Sequence, residues 1–254
     1  MSGAAGEVKS HANRPFQFGL VHVLIFFALI GGALAVIVPA VRFAAEDAAY
    51  MRSSSNLHQI ALALQNYHDT FHCFPPAYQC DSTGKPVHSW RVLIWNFIES
   101  QPYSEQYDFA EPWNGPHNSR LAPHMPGPFH GPGSSGRPPG MTSYVAIIGK
   151  GTMWPGEQSM RLVDISDGAA ETIMVVEISN SDIHWMEPRD LRVEEVSKPF
   201  NPRRKGVRLG ARIGGGLVAY ADGSVRFLRA EVTEKRLRAL LSPTGNDARD
   251  AEEP

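Results

Sequence analysis

Cysteine is scarce in this chain. Cys73 and Cys80 are the only two in 254 residues, and six residues separate them. That spacing is not a Cys-x2-Cys knuckle, and no second pair exists to complete four zinc ligands. A short-loop disulfide fits if this part of the chain lies outside the cytoplasm. Two free thiols fit equally, because the spacing does not fix the Cα separation a disulfide demands. Motifs that carry chemistry are also missing. There is no Gly-x-Ser-x-Gly elbow. Gly214-Gly215-Gly216 lacks the frame of a phosphate loop. A dominant charge is absent as well: 24 basic against 26 acidic residues give a formal net charge of −2. Such a balance supplies no field for nucleic acid. The sequence therefore offers no reason to expect an enzyme, a cofactor or a bound metal.

A more local absence says more. From Pro15 to Val41 there is no Asp, Glu, Lys or Arg across 27 residues. A helix of about 20 apolar residues spans a bilayer, so this run is long enough, and it exceeds the roughly 7–15 residues of a signal-peptide core. Lys9 and Arg14 precede it, which favours an N-terminus on the cytoplasmic side and the remainder outside. The expected topology is a membrane crossed once, with the N-terminus inside and the C-terminal domain outside.

Beyond the apolar run, helical spacing continues. Leu57, Ile60, Leu64, Tyr67 and Phe71 step by three and four, which marks one helix face. One helix from about Phe18 to Phe71, roughly 80 Å long, is the simplest expectation. Pro75-Pro76 ends it, and Trp90, Leu93, Ile94, Phe97 and Ile98 predict a short amphipathic helix. Residues 122–140 read as a loop rich in Pro and Gly. Ser143–Ile148 and Thr172–Ile178 read as strands, the second buried on both faces. Leu217–Ala221 and Ser224–Leu228 flank Asp222-Gly223, which predicts a hairpin with a two-residue type I′ turn. Thr233 is placed to cap a last helix, with Val232 and Leu237 as its hydrophobic staple. The expected fold is α+β: a long N-terminal helix packed on a mostly antiparallel sheet domain with short helices. The expected boundaries are a cytoplasmic tail at 1–16, a transmembrane helix at 17–41, its amphipathic continuation at 42–72, an extracytoplasmic domain at 73–241 and a tail at 242–254.

Candidate sites are few. Trp185, Glu187, Arg189 and Asp190, with His184, bring carboxylates, a His and an aromatic together. They could bind a ligand or do acid–base work, but a structural ion pair holding a loop, Glu187–Arg189 or Asp190–Arg189, is the favoured reading. His68 and His72 share a helix face without a third metal ligand. Asp164, Asp167 and Gly168 lack EF-hand spacing, and turn chemistry accounts for them, as it does for Asp222 and Gly223. Arg203, Arg204, Lys205, Arg208 and Arg212 form a basic run. Together with Trp113, Trp154 and Trp185 taken as surface residues, it motivates an alternative function, a binding module for glycan or an anionic polymer.

Several of these segments, in order, resemble one family. They are Leu57-His58-Gln59-Ile60-Ala61-Leu62-Ala63-Leu64-Gln65-Asn66-Tyr67-His68-Asp69, Phe74-Pro75-Pro76, Ser89-Trp90-Arg91-Val92-Leu93, Thr142-Ser143-Tyr144-Val145-Ala146, Trp185-Met186-Glu187-Pro188-Arg189-Asp190 and Ala221-Asp222-Gly223-Ser224-Val225-Arg226-Phe227-Leu228. The chain resembles the bacterial prepilin-type family called domain of unknown function 1559, over roughly residues 18–241. The resemblance implies a pilin- or pseudopilin-like architecture, an envelope location, and partners in the lipid bilayer and among other pilin-like or envelope proteins. It implies no reaction. Where the family carries a processing site, this chain has Gln17, Phe18 and His22, without the Gly and the Glu, so the helix is expected to stay uncleaved. The family's C-terminal signature is a His, nine residues, then Asp-Gly; Asp222-Gly223 match its end, and Arg212 stands in place of its His. Ser53 and Gly131 stand where many members carry cysteines, which fits loss of one disulfide.

Overall fold

The structure, a computed structural model, describes residues 19–98, 102–131, 138–196, 208–209 and 214–245. Gln17, Phe18, most of the basic run and the expected terminal tails, except residues 242–245, lie outside them. The chain divides into two compact units, residues 1–47 and 48–254.

The described part of the first unit is helix. Helix α1 runs from Leu20 to Phe71 and passes through Pro39 without ending. Every described residue before Asp47 is exposed, large apolar ones included: Leu20, Phe27, Leu29, Val36 and Phe43 show between 65% and 76% of their surface. One window of this helix has a mean hydropathy of 2.7 and is long and apolar enough to cross a membrane.

The second unit contains the α1 residues from Ala48 onward. There the stripe turns inward: Ser53, Asn56, Leu57, Ile60, Ala61, Ala63 and Leu64 are buried. Each Leu or Ile so buried contributes roughly 1.5–3 kcal/mol. The stripe ends earlier than its spacing predicts, since Tyr67 is half-buried and Phe71 is exposed.

The central sheet orders its strands β3 (Tyr144–Val145), β5 (Ile173–Ser179), β8 (Gly215–Tyr220) and β9 (Val225–Arg229), all antiparallel. Strand β7 (Arg208–Leu209) pairs with the end of β5. Pleating sends alternate residues to opposite faces. Val175 joins the core that holds Leu57, Ile60 and Leu64. Val176 and Ile178 join Leu237, Leu240 and Leu241 of α3 (Glu234–Leu241). Thr233 caps α3 as expected, accepting from the Arg236 amide at 3.1 Å. The α+β class and the long helix on an antiparallel sheet are as the sequence predicts.

Three elements differ in detail. The strand expected at Ser143–Ile148 is broken: β3 ends at Val145, and β4 (Ile147–Ile148) pairs parallel with β6 (Leu191–Arg192). Ala146 between them donates its N–H to Asp190 Oδ1 at 2.7 Å, so a buried carboxylate replaces a ladder partner there. The amphipathic helix shrinks to α2 (Trp90–Leu93) followed by a 3-10 turn at Trp95–Phe97. The hairpin turn is not type I′. Gly223 has φ 85°, but Asp222 does not have positive φ. Gly223 N–H closes on Tyr220 O (3.0 Å) and Tyr220 N–H on Ser224 O (2.9 Å). That makes a three-residue loop of a type I turn followed by a left-handed Gly. The reason is tertiary. Ala221 and Asp222 N–H groups are taken by the Thr172 and Ala169 carbonyls, which holds the hairpin tip against that segment.

Candidate functional site

The polar cluster read around residues 184–190 separates into two places. Asp190 is buried, and its partner is Arg91 rather than Arg189. The guanidinium meets both carboxylate oxygens, Nη2 on Oδ1 and Nη1 on Oδ2, the latter at 3.3 Å. Trp90 Nε1 donates to Oδ2 (3.2 Å) and the Ala146 amide to Oδ1. Arg91 Nε donates to the Tyr144 carbonyl at 3.1 Å. Burial pushes the Asp190 carboxyl up to about 6, against the pull of Arg91 and the donors. Burial likewise lowers Arg91. Both side chains are sealed from solvent, so this pair fastens α2 to the β3–β4 junction.

Glu187 and Arg189 stay at the surface. Arg189 Nε donates to Glu187 Oε1 at 2.8 Å, and the same guanidinium reaches the Asp182 carbonyl (2.8 Å) and Oδ1 (3.2 Å). Glu187 Oε2 accepts from the His184 amide. This is a surface staple across a turn, as the loop-holding reading predicts. His184 lies over Trp113 at 5.3 Å, and its Nδ1 accepts from the Met186 amide. Burial lowers its pKa.

The tryptophans expected on the surface are mostly not there. Trp154 and Trp185 are 2% and 0% exposed; their indole N–H groups donate to Met174 O and Ala122 O. Large rings with satisfied N–H groups are core anchors. Only Trp113 of the three stays partly exposed. His22 is on α1 and exposed. His72 sits beyond the helix end with φ 59°, while His68 lies against Phe74, so the pair shares no helical face. Asp164 pairs with Arg161, and Gly168 takes φ 99° in its turn. Asp222 and Gly223 form the hairpin turn, where Asp222 Oδ1 accepts the Ser224 amide. Cys73 and Cys80 are free thiols.

The positions implied to have lost a disulfide meet the same region by other means. Ser53 Oγ donates to Glu177, and one turn on, Asn56 Nδ2 donates to the His130 carbonyl at 2.7 Å. Gly131, next in sequence, leaves no room for a side chain, since a Cβ would stand 2.0 Å from Ser143 Oγ.

One concavity was not legible in the sequence. A cleft of about 710 Å³ opens between the β1–β2 hairpin (β1 Tyr78–Cys80, β2 Pro86–Ser89) and the 109–112 loop. Its floor includes Val87 and His88, its rim Asp81, Lys85, Phe109, Glu111 and Glu157. Neighbouring backbone holds these walls. Trp113 N–H donates to Val87 O (3.0 Å), Ala77 N–H to Gly156 O (2.8 Å) and Phe74 N–H to Met160 O (2.7 Å). Buried Asn118 shapes the loop, donating to the carbonyls of Asp108, Glu111 and Pro112 and accepting the Asp108 amide. His88 Nε2 reaches Phe109 O (3.2 Å), which can only accept, so Nδ1 accepts from Tyr107 OH (2.8 Å). Burial depresses its pKa. The parts come from four distant stretches, and no spacing signal links them.

Residues 44–130 match the model of a family described as SBP_bac_10, Protein of unknown function (DUF1559). The family recognised in the motifs is thus the one whose model matches, over the buried part of α1 and the chain up to His130. No curated protein and no solved structure shows a significant match.

Proposed function

We propose that this DUF1559-type chain is held in a bacterial envelope membrane by the first part of α1 and serves there as a structural or interaction protein, pseudopilin-like in plan. The carrying observation is the change of character along one helix. Residues up to Phe43 expose large apolar side chains, whereas Leu57, Ile60 and Leu64 are buried in the second unit's core. Exposed apolar surface of that extent is costly in water and suited to lipid. The weak positive flank of Lys9 and Arg14 supports an inward N-terminus. The glycan-binding alternative loses two of its three tryptophans, because Trp154 and Trp185 are core residues. The separated polar cluster around Asp190 likewise gives no support for catalysis.

The test is fractionation with protease treatment of spheroplasts. Recovery in the membrane pellet, resistance to carbonate extraction and protease sensitivity of the C-terminal part are expected. Intact protein in the soluble cytoplasm would overturn the reading. N-terminal sequencing of the membrane form is expected to find residues before Gln17 still attached.

A further inference from the structure

The cleft beside the β1–β2 hairpin has the size of a ligand site and a strongly polar lining. Its volume falls within the roughly 300–1,000 Å³ that small-molecule sites occupy. Phe109 is 49% exposed at its wall, although the ring packs on His88 and Tyr107 at steep angles. The loop that carries it is pinned by Asn118, so the ring is a fixed apolar surface left open to the cleft. The rim has three carboxylates, Asp81, Glu111 and Glu157, against one cation, Lys85. Glu111 Oε1 accepts the Asn118 amide and Asp81 Oδ1 the Thr83 and Lys85 amides, so Glu157 and Asp81 Oδ2 carry the charge open to a ligand. The Cys80 thiol registers that sign: burial raises its pKa first, then Glu157 and Asp81 raise it further.

We infer that this cleft binds an organic cation, an ammonium or guanidinium on an apolar body, with the Phe109 ring against the body and Asp81 and Glu157 supplying the opposing charge. Apolar contact with the ring and Coulomb attraction to the carboxylates together stabilise such an ion. A bare metal ion fits less well. Among the described residues no three His, Cys, Asp or Glu side chains are grouped to hold one, and both ring nitrogens of His88 are engaged. An anion would meet Lys85 alone.

The experiment is isothermal titration of the full chain in detergent micelles with spermidine, with a blocked arginine tripeptide and with Ca²⁺. Saturable binding of at least one organic cation is expected. Spermidine alone would identify a free polyamine, the peptide alone a basic protein segment, and either supports the inference. Asp81→Asn with Glu157→Gln should weaken binding at least about 10-fold, the effect of about 1.4 kcal/mol, and Lys85→Met should strengthen it. These side chains are exposed, and an unchanged melting temperature shows that the variants fold. Absence of saturable binding by both organic cations, undiminished affinity in the double variant, or Ca²⁺ binding as tight as theirs would each overturn it. None of these outcomes bears on membrane anchoring.

Discussion

Arg91 and Asp190 are 99 residues apart in sequence and form a fully buried ion pair that joins α2 to the break between β3 and β4. Removing one partner leaves an uncompensated buried charge, which typically costs about 3–5 kcal/mol, whereas replacing both with apolar residues costs much less. Arg91→Met and Asp190→Leu are each expected to lower the unfolding free energy of the detergent-solubilised chain by that amount. The double variant should recover part of the loss, since the Trp90 indole N–H and the Ala146 amide remain without their acceptor. Urea unfolding followed by tryptophan fluorescence checks this, and a double variant as unstable as the sum of the singles would refute it.

His88 predicts a pH dependence. Its folded pKa lies below the usual 6.5, chiefly because burial disfavours the cation. A depressed histidine leaves the unfolded chain holding more protons, so its contribution is present above about pH 6.5 and is lost as pH falls through the folded value. His184 acts with the same sign. Asp190, raised by burial, acts with the opposite sign. The stability difference between the native chain and His88→Asn cancels the other two groups. That difference should shrink from pH 7 to pH 5 in denaturant titrations; a pH-independent difference would exclude the assignment.

The hairpin loop places Gly223 at φ 85°, with open space around it apart from Gln65 Cγ at 3.8 Å. The cost of a side chain there is conformational, not steric. Gly223→Ala should destabilise by about 1–2 kcal/mol, and Gly223→Asn by less, since Asn tolerates the left-handed region. Thermal melts of the two variants decide it, and equal losses would show that crowding dominates instead.

Gly131 presents the reverse case. Its φ is unremarkable for an L-residue, but a Cβ would overlap the Ser143 side chain. Gly131→Ala is expected to cost about 1–3 kcal/mol through overpacking. Ser143→Gly in the same chain should relieve part of that cost, because the overlap is with the Ser143 hydroxyl and Cβ. Additive losses in the double variant would contradict the contact.

The apolar run, the continuing helix, the α3 cap and the identity of the central strand were set by the sequence itself, because they depend on local periodicity and composition. Thr233 caps α3 and Leu57, Ile60 and Leu64 face inward for reasons visible within one or two turns. The tertiary structure decided what local pattern cannot carry. It gave Asp190 to Arg91 instead of its neighbour Arg189, because a buried charge takes the partner that packing delivers. It buried Trp154 and Trp185, whose indole N–H groups found carbonyls in remote segments. It turned Asp222-Gly223 into a longer loop, since the Ala169 and Thr172 carbonyls claimed the amides at its tip. The cleft was decided last and most completely by tertiary contact: Lys85, Phe109 and Glu157 share a rim only because Asn118, Val87 and Gly156 hold their loops together.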